Sequence, residues 1–304
     1  MPWGSRTREL PRVGFLKQPP VLDYMDAFRD GMREHGYVEG ENFLFEYRYV
    51  EEIGELPAVA AELAKIPVDV VVCPNAAAVN AAREASRTIP IVMVTIPNPI
   101  AGGYVESLAR PGGNITGPSQ LAPGVTQKRL QILREVDPRI QRVGVLWNPD
   151  NENSKGQQFE TEEAAQALGL QVISLEVRSL NDFDAAFARA IGDRADALFM
   201  PITQVVMVQL PLIAKFAISR KLPSMAFQRE FAENGGLMTY GVSIPYLYRR
   251  SAYYVDKILK GAKAADLPVE QSNRFDLIVN LKTAQAIGLS IPQSVLVGAA
   301  ELIE

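Results

Sequence analysis

Short stretches of this chain join proline to amide or carboxylate side chains, a composition suited to holding a ligand. They are Lys17-Gln18-Pro19-Pro20, Cys73-Pro74-Asn75-Ala76-Ala77, Thr95-Ile96-Pro97-Asn98-Pro99, Trp147-Asn148-Pro149-Asp150-Asn151-Glu152-Asn153, Pro201-Ile202-Thr203-Gln204 and Phe227-Gln228-Arg229-Glu230, the last without proline. Proline stiffens such loops, and an amide both donates and accepts hydrogen bonds. Asn75 sits where it would cap a helix starting at Ala76, with backbone N–H groups suited to a carboxylate or phosphate. It serves its own helix either way, and the two roles are compatible. Trp147 reads equally as a stacking wall for an apolar ligand or as core.

Catalytic constellations are missing. The chain has one cysteine, Cys73, and one histidine, His35. A zinc site built from cysteine and histidine takes three or four ligands, so no metal is expected. His35 falls in Arg33-Glu34-His35-Gly36, the last turn of a helix before a glycine stop, and reads as a surface residue. Cys73 ends an apolar run and reads as a small buried thiol. No Gly-x-Gly-x-x-Gly follows the first strand and no Walker-type Gly-Lys-Ser occurs, so no cofactor is expected. The acid pairs Glu51-Glu52 and Glu162-Glu163 read as solvated surface.

Bulk composition agrees with a binding role. Hydrophobic residues make up 47% and charged residues 22% of 304, with a net charge of −4. Basic residues are interspersed with acids, as in Arg83-Glu84 or Lys128-Arg129 ahead of Glu135, which reads as a mixed solvated surface and not as a nucleic-acid face. No run of about 20 apolar residues spans a membrane. Residues 1–10 are polar, carry no signal peptide and read as a disordered or truncated leader.

The elements that position these loops alternate in period. Apolar runs at 13–16, 43–49, 68–73 and 91–94 read as strands. Between them Val21, Met25, Phe28 and Met32, then Leu56, Val59, Leu63 and Ile66, then the alanine-rich 76–86 segment, read as helices. After a turn at Pro111-Gly112-Gly113-Asn114 the series restarts. Helices are expected at 126–136, 154–168, 182–191 and 205–220, and strands at 143–147, 171–177, 197–200, 224–227 and 237–240. A long helix over 246–260, a strand at 275–279 and a helix at 283–287 follow. Two successive strand–helix series predict an α/β fold with two parallel-sheet lobes, each covered on both faces by helices. Ligands of such sheets bind at the carboxyl ends of the strands, where the loops above fall.

Longer runs carry a family likeness. Ile89-Pro90-Ile91-Val92, Asn98-Pro99-Ile100-Ala101-Gly102-Gly103-Tyr104-Val105 and Ser107-Leu108-Ala109-Arg110-Pro111-Gly112-Gly113-Asn114-Ile115-Thr116-Gly117 resemble the signature of the ABC-transporter substrate-binding family that includes tryptophan-binding lipoproteins. Asn148-Pro149-Asp150, Gly235-Gly236-Leu237-Met238-Thr239-Tyr240-Gly241, Ala252-Tyr253-Tyr254-Val255-Asp256-Lys257-Ile258-Leu259-Lys260-Gly261, Leu267-Pro268-Val269-Glu270-Gln271, Ile278-Val279-Asn280-Leu281-Lys282-Thr283-Ala284 and Ile287-Gly288-Leu289 are similar too. The resemblance covers about residues 11–304.

It implies two doubly wound lobes joined by three crossovers, the type I periplasmic-binding-protein fold. The first lobe is expected at 11–117 plus about 242–268, and the second at 118–241 plus about 269–304. It also implies a periplasmic or other extracytoplasmic location and membrane permease and ATPase partners. The chain departs from the family at Asn98-Pro99, where an Asp-Pro is common, and at Asn75-Ala76, where Gly-Thr or Gly-Ser is common. A missing aspartate removes a charged partner for a ligand ammonium, a role Asp150 or Glu230 can take from the second lobe.

The function expected is capture of a small organic solute, an amino acid or an aromatic or organic acid, by hinge closure of a monomer. No catalysis is expected. Gln18, Asn75, Ala76, Asn98, Trp147, Asp150, Thr203, Phe227 and Tyr240 are the expected ligand contacts. The alternative is a ligand-sensing module of a receptor or regulator on the same fold. No DNA-binding headpiece precedes Val13 and no anchor follows Ile303, which argues against it.

Overall fold

The computed structural model describes residues 10–17, 24–120, 122, 124–201 and 203–304. The chain opens with β1 (Arg12–Lys17), α1 (Met25–Glu34), β2 (Leu44–Tyr49), α2 (Leu56–Leu63), β3 (Val70–Cys73), α3 (Ala76–Ala85), β4 (Ile91–Met93), β5 (Ile115–Thr116) and β6 (Pro118–Ser119). Next come α4 (Val125–Val136), β7 (Arg142–Trp147), α5 (Glu152–Ala167), β8 (Gln171–Glu176), α6 (Phe183–Gly192), β9 (Ala197–Met200) and α7 (Gln204–Met207). They are followed by α8 (Leu210–Ser219), β10 (Ser224–Ala226), α9 (Arg229–Glu233) and β11 (Met238–Val242). The tail holds α10 (Ile244–Leu259), β12 (Glu270–Gln271), β13 (Phe275–Asn280), α11 (Leu281–Ile287), α12 (Gln293–Gly298) and β14 (Glu301–Ile303). Two compact units share these elements: one is Met1–Ala122 with Ser243–Arg274, the other Pro123–Val242 with Phe275–Glu304. The chain therefore passes between units three times.

The first unit is a five-stranded parallel sheet in the order β2-β1-β3-β4-β5. Its inner strand β3 is Val-Val-Val-Cys with all four residues buried, the unbroken apolar run that a sheet covered on both faces demands. Leu56 and Leu63 of α2 and Val79 and Ala82 of α3 pack with Val71, Cys73 and Ile91 on one face. On the other, Phe15 meets Phe28 of α1 and Tyr248 of α10. The return helix α10 thus completes the first unit's core. The strands beside the first and third passages, β6 and β12, pair in parallel with Glu270 opposite Pro118. Arg250 of α10 forms a two-toothed ion pair with Glu270.

The second unit is a seven-stranded sheet in the order β14-β13-β11-β10-β9-β7-β8. Leu130 and Leu133 of α4 and Ala165 of α5 pack on one face with Val143 and Val145. Phe183 and Phe187 of α6 and Ile213 and Ala217 of α8 pack on the other with Leu146 and Leu198. One pair departs from the parallel expectation: β13 runs antiparallel to β11, with Tyr240 opposite Leu277. The chain leaves this sheet at the carboxyl end of β11, traverses Ser243–Arg274, and re-enters at the same edge, where Ser243 N–H donates to Arg274 C=O at 3.0 Å. A strand re-entering at that edge has to run backwards.

The single helix expected over 205–220 is two. Pro211 falls in the first turn of α8, where its missing N–H costs nothing, and Thr203 caps the separate short α7. Among the described residues no helix is long and apolar enough to cross a membrane.

Candidate functional site

The polar loops of the first unit sit at the carboxyl edge of its sheet. Asn75 follows β3 and is the N-cap of α3: its Oδ1 accepts from Ala78 N–H at 3.0 Å. Ala76 is exposed. The next loop is fastened to this one, since Thr95 donates both its N–H and its hydroxyl to Pro74 C=O. Asn98, exposed at the far end of that loop, accepts from Ala101 N–H at 3.0 Å. The structure thus brings Asn75, Ala76 and Asn98 to one edge, each amide oxygen occupied by its own turn. Gln18 lies outside the described residues.

Cys73 ends β3 with no exposed surface, and burial pushes its thiol far above the ordinary range. Only the thiolate is nucleophilic, so the native chain is expected to resist a maleimide and to take up the reagent once unfolded. Intact-mass spectra with and without denaturant check this. Modification of the native chain at the unfolded rate would contradict the burial.

At the carboxyl edge of the second unit the expected residues divide. Trp147, half-buried at the end of β7, donates its indole N–H to Ser174 Oγ on β8 at 2.8 Å. Asp150 is exposed and lies 3.6 Å from Arg178. Thr203 is buried, with its hydroxyl accepting from Val206 N–H. These three stand apart from one another in their contacts. Phe227 and Tyr240 do converge, through a residue that the spacing arguments missed.

That residue is Arg129. Lys128-Arg129 reads as solvated surface in sequence, yet Arg129 is only 5% exposed. It falls on the buried face of α4 with Thr126, Leu130, Leu133 and Val136, a helical spacing that would have exposed the error. Its Nε donates to Tyr240 C=O at 2.6 Å, and its guanidinium lies 4.5 Å from the centre of the Phe227 ring. Tyr240 in turn stacks on Phe275 at 5.5 Å. Burial brings the Arg129 guanidinium down to about 10, with Glu160 and Tyr240 pulling the other way. Burial raises the Tyr240 hydroxyl, and Arg129 partly offsets this. Nη2 of Arg129 and Oε1 of Gln228 are buried with no hydrogen-bond partner among the described residues. Gln228 and Phe227 also line a small cavity with Met200 and Phe231. Gly241 allows the close approach behind Phe227, because a Cβ there would lie 2.3 Å from Phe227 C=O.

Among the described residues no group of three or more potential metal ligands exists. Within the second unit, aromatic faces beside a buried cation at the strand ends are the kind of surface that holds a small organic molecule.

Known proteins agree. The model of the family described as ABC transporter substrate binding protein matches residues 13–303. This chain belongs to that family, whose members bind solutes and do not catalyse reactions. A tyrosine-binding protein of Clostridioides difficile is 24% identical over 279 residues, 91% of this chain and 80% of that protein. A solved ABC domain in complex with L-Trp from Streptococcus pneumoniae is 27% identical with a TM-score of 0.77, covering 97% of this chain and all of that one. The ligand-free, open structure of a substrate binding protein with adhesive properties from Clostridium difficile is 25% identical with a TM-score of 0.85, covering 97% and 99%.

Proposed function

We propose that this chain is the extracytoplasmic, monomeric receptor of an ABC importer and that it captures an aromatic amino acid or a related aromatic acid. The observation that carries the reading is the set of Phe227, Tyr240 and Phe275 gathered at one sheet edge beside the Arg129 guanidinium. Aromatic faces hold an aromatic ligand by stacking, and relatives are named for tyrosine and L-Trp. Asn75, Ala76 and Asn98 of the first unit and Phe227 and Tyr240 of the second supply contacts to the ligand. The lobes are the two units described above, Met1–Ala122 with Ser243–Arg274 and Pro123–Val242 with Phe275–Glu304, and rotation at the passages between them closes the protein on its ligand. The closed form then engages a membrane permease with its ATPase.

Native mass spectrometry after gentle purification tests this. The expected species is the protein plus one aromatic metabolite, which is released unchanged on denaturation. The loaded protein should stimulate ATP hydrolysis by the permease and ATPase, reconstituted in liposomes, more than the stripped protein does. A copurified sugar or metal, or a chemically altered ligand, would sink the reading.

A further inference from the structure

We propose that Arg129 is the carboxylate anchor of the site, its Nη2 donating to an oxygen of the ligand's carboxylate. This rests on the binding role proposed above and specifies the charge that the ligand must carry.

Two strongly paired arginines, Arg229 and Arg250, show what a purely structural guanidinium looks like here. Arg229 is held by Glu301 through two nitrogens and by Glu233 through a third. Arg250 is held by Glu270 through two. Their side chains remain 33% and 29% exposed. Arg129 is far more buried and has no such partner: Glu160 acts on it only through space, with no ion pair among the described residues. A cation taken out of water is costly unless it is paired and hydrogen-bonded. Tyr240 C=O satisfies Nε, and the Phe227 ring lies against the guanidinium. Neither supplies a negative charge, and Nη2 is left without an acceptor.

Nη2 points the demand at one chemistry. An anion with a planar pair of oxygens meets the guanidinium edge with charge and geometry matched. The location suits a ligand. Phe227 follows the carboxyl end of β10, Tyr240 lies two residues from the end of β11, and Phe275 begins β13 at that same edge. Nη2 is itself buried, and the half-buried Phe227 ring lies over the same guanidinium.

The test is calorimetry on the full chain and its R129Q and R129K variants. The probes are L-tyrosine, L-tryptophan, 3-phenylpropionate, L-leucine and succinate, each beside its primary amide. Wild type is expected to bind at least one acid about 100-fold more tightly than its amide, the size of a buried charge pair's contribution. R129Q should lose that ratio, and R129K should retain part of it. The ratio within one variant is unaffected by a general loss of stability, and R129K covers the case in which R129Q fails to fold. Amides bound as tightly as acids by wild type would overturn the assignment. So would an acid preference that persists in both variants, which would move the carboxylate to the first turn of α3. Arg129-dependent binding of leucine or succinate, with no aromatic probe bound, would uphold the anchor and refute the aromatic reading. No binding of any probe would overturn both.

Discussion

Replacing Gly117 with alanine is expected to cost about 4 kcal/mol, the sum of backbone strain and overpacking at roughly 1–3 kcal/mol each. Gly117 has φ +137°, a conformation that residues with a Cβ rarely adopt, and its added Cβ would lie 2.2 Å from Met93 C=O. The neighbour is the backbone of β4, an inner strand, and cannot swing aside as a side chain would. Gly117 also separates β5 from β6 just ahead of the first passage between units. The melting temperature should fall by roughly 8–16 °C for units of this size. Gly113, in the same glycine-rich run, has open space where its Cβ would go and no positive φ. Gly113→Ala is therefore the control and should be close to neutral. A Gly117→Ala protein that melted within about 3 °C of wild type would show that β4 yields, contrary to the packing described.

Saturation with the physiological ligand is expected to raise stability by about 4 kcal/mol at a thousandfold excess over Kd. Binding to the folded form alone accounts for this, with no new internal contact required. On the function proposed above, the ligand also favours the closed arrangement in proportion to its differential affinity for it. Small-angle scattering should then report a smaller radius of gyration at saturation. The backbone passes between units at 122/123, 242/243 and 274/275, and on that proposal these few bonds would absorb the rotation. The paired β6 and β12 tie two of those passages together within the first unit. An unchanged radius with a raised melting temperature would refute closure and leave binding intact. Turnover of the ligand would refute the receptor reading altogether.

Most strands and long helices were legible because their periods are local. Val70–Cys73 is apolar throughout and buried throughout. Met25, Phe28 and Met32 recur at helical spacing and line the buried face of α1. The loops at strand ends were legible for a related reason, since polar, proline-rich or aromatic residues follow β3, β7 and β10 where a parallel sheet presents its ligand edge. Less was visible where elements are short. The strands β5, β6, β12 and β14 and the helix α12 are too brief for two or three repeats of any period, and they form by pairing with distant partners.

The amino-acid sequence alone determined the alternation of strand and helix, the family signature around Leu108–Gly117, and the lack of a cysteine–histidine catalytic or metal set. All of these depend on residue types or on neighbours a few positions apart. The tertiary structure decided the antiparallel return of β13, the burial of Arg129 and the company it keeps. Arg129 meets Tyr240 C=O across 111 positions of chain, and Phe227 reaches the same guanidinium from β10. The helical spacing with Thr126, Leu130, Leu133 and Val136 puts Arg129 on the inward face of α4, but no local pattern names the strands whose ends it meets there. That meeting arises only when the sheet order brings the ends of β10 and β11 over α4, and that order is set by packing both faces of the second sheet at once.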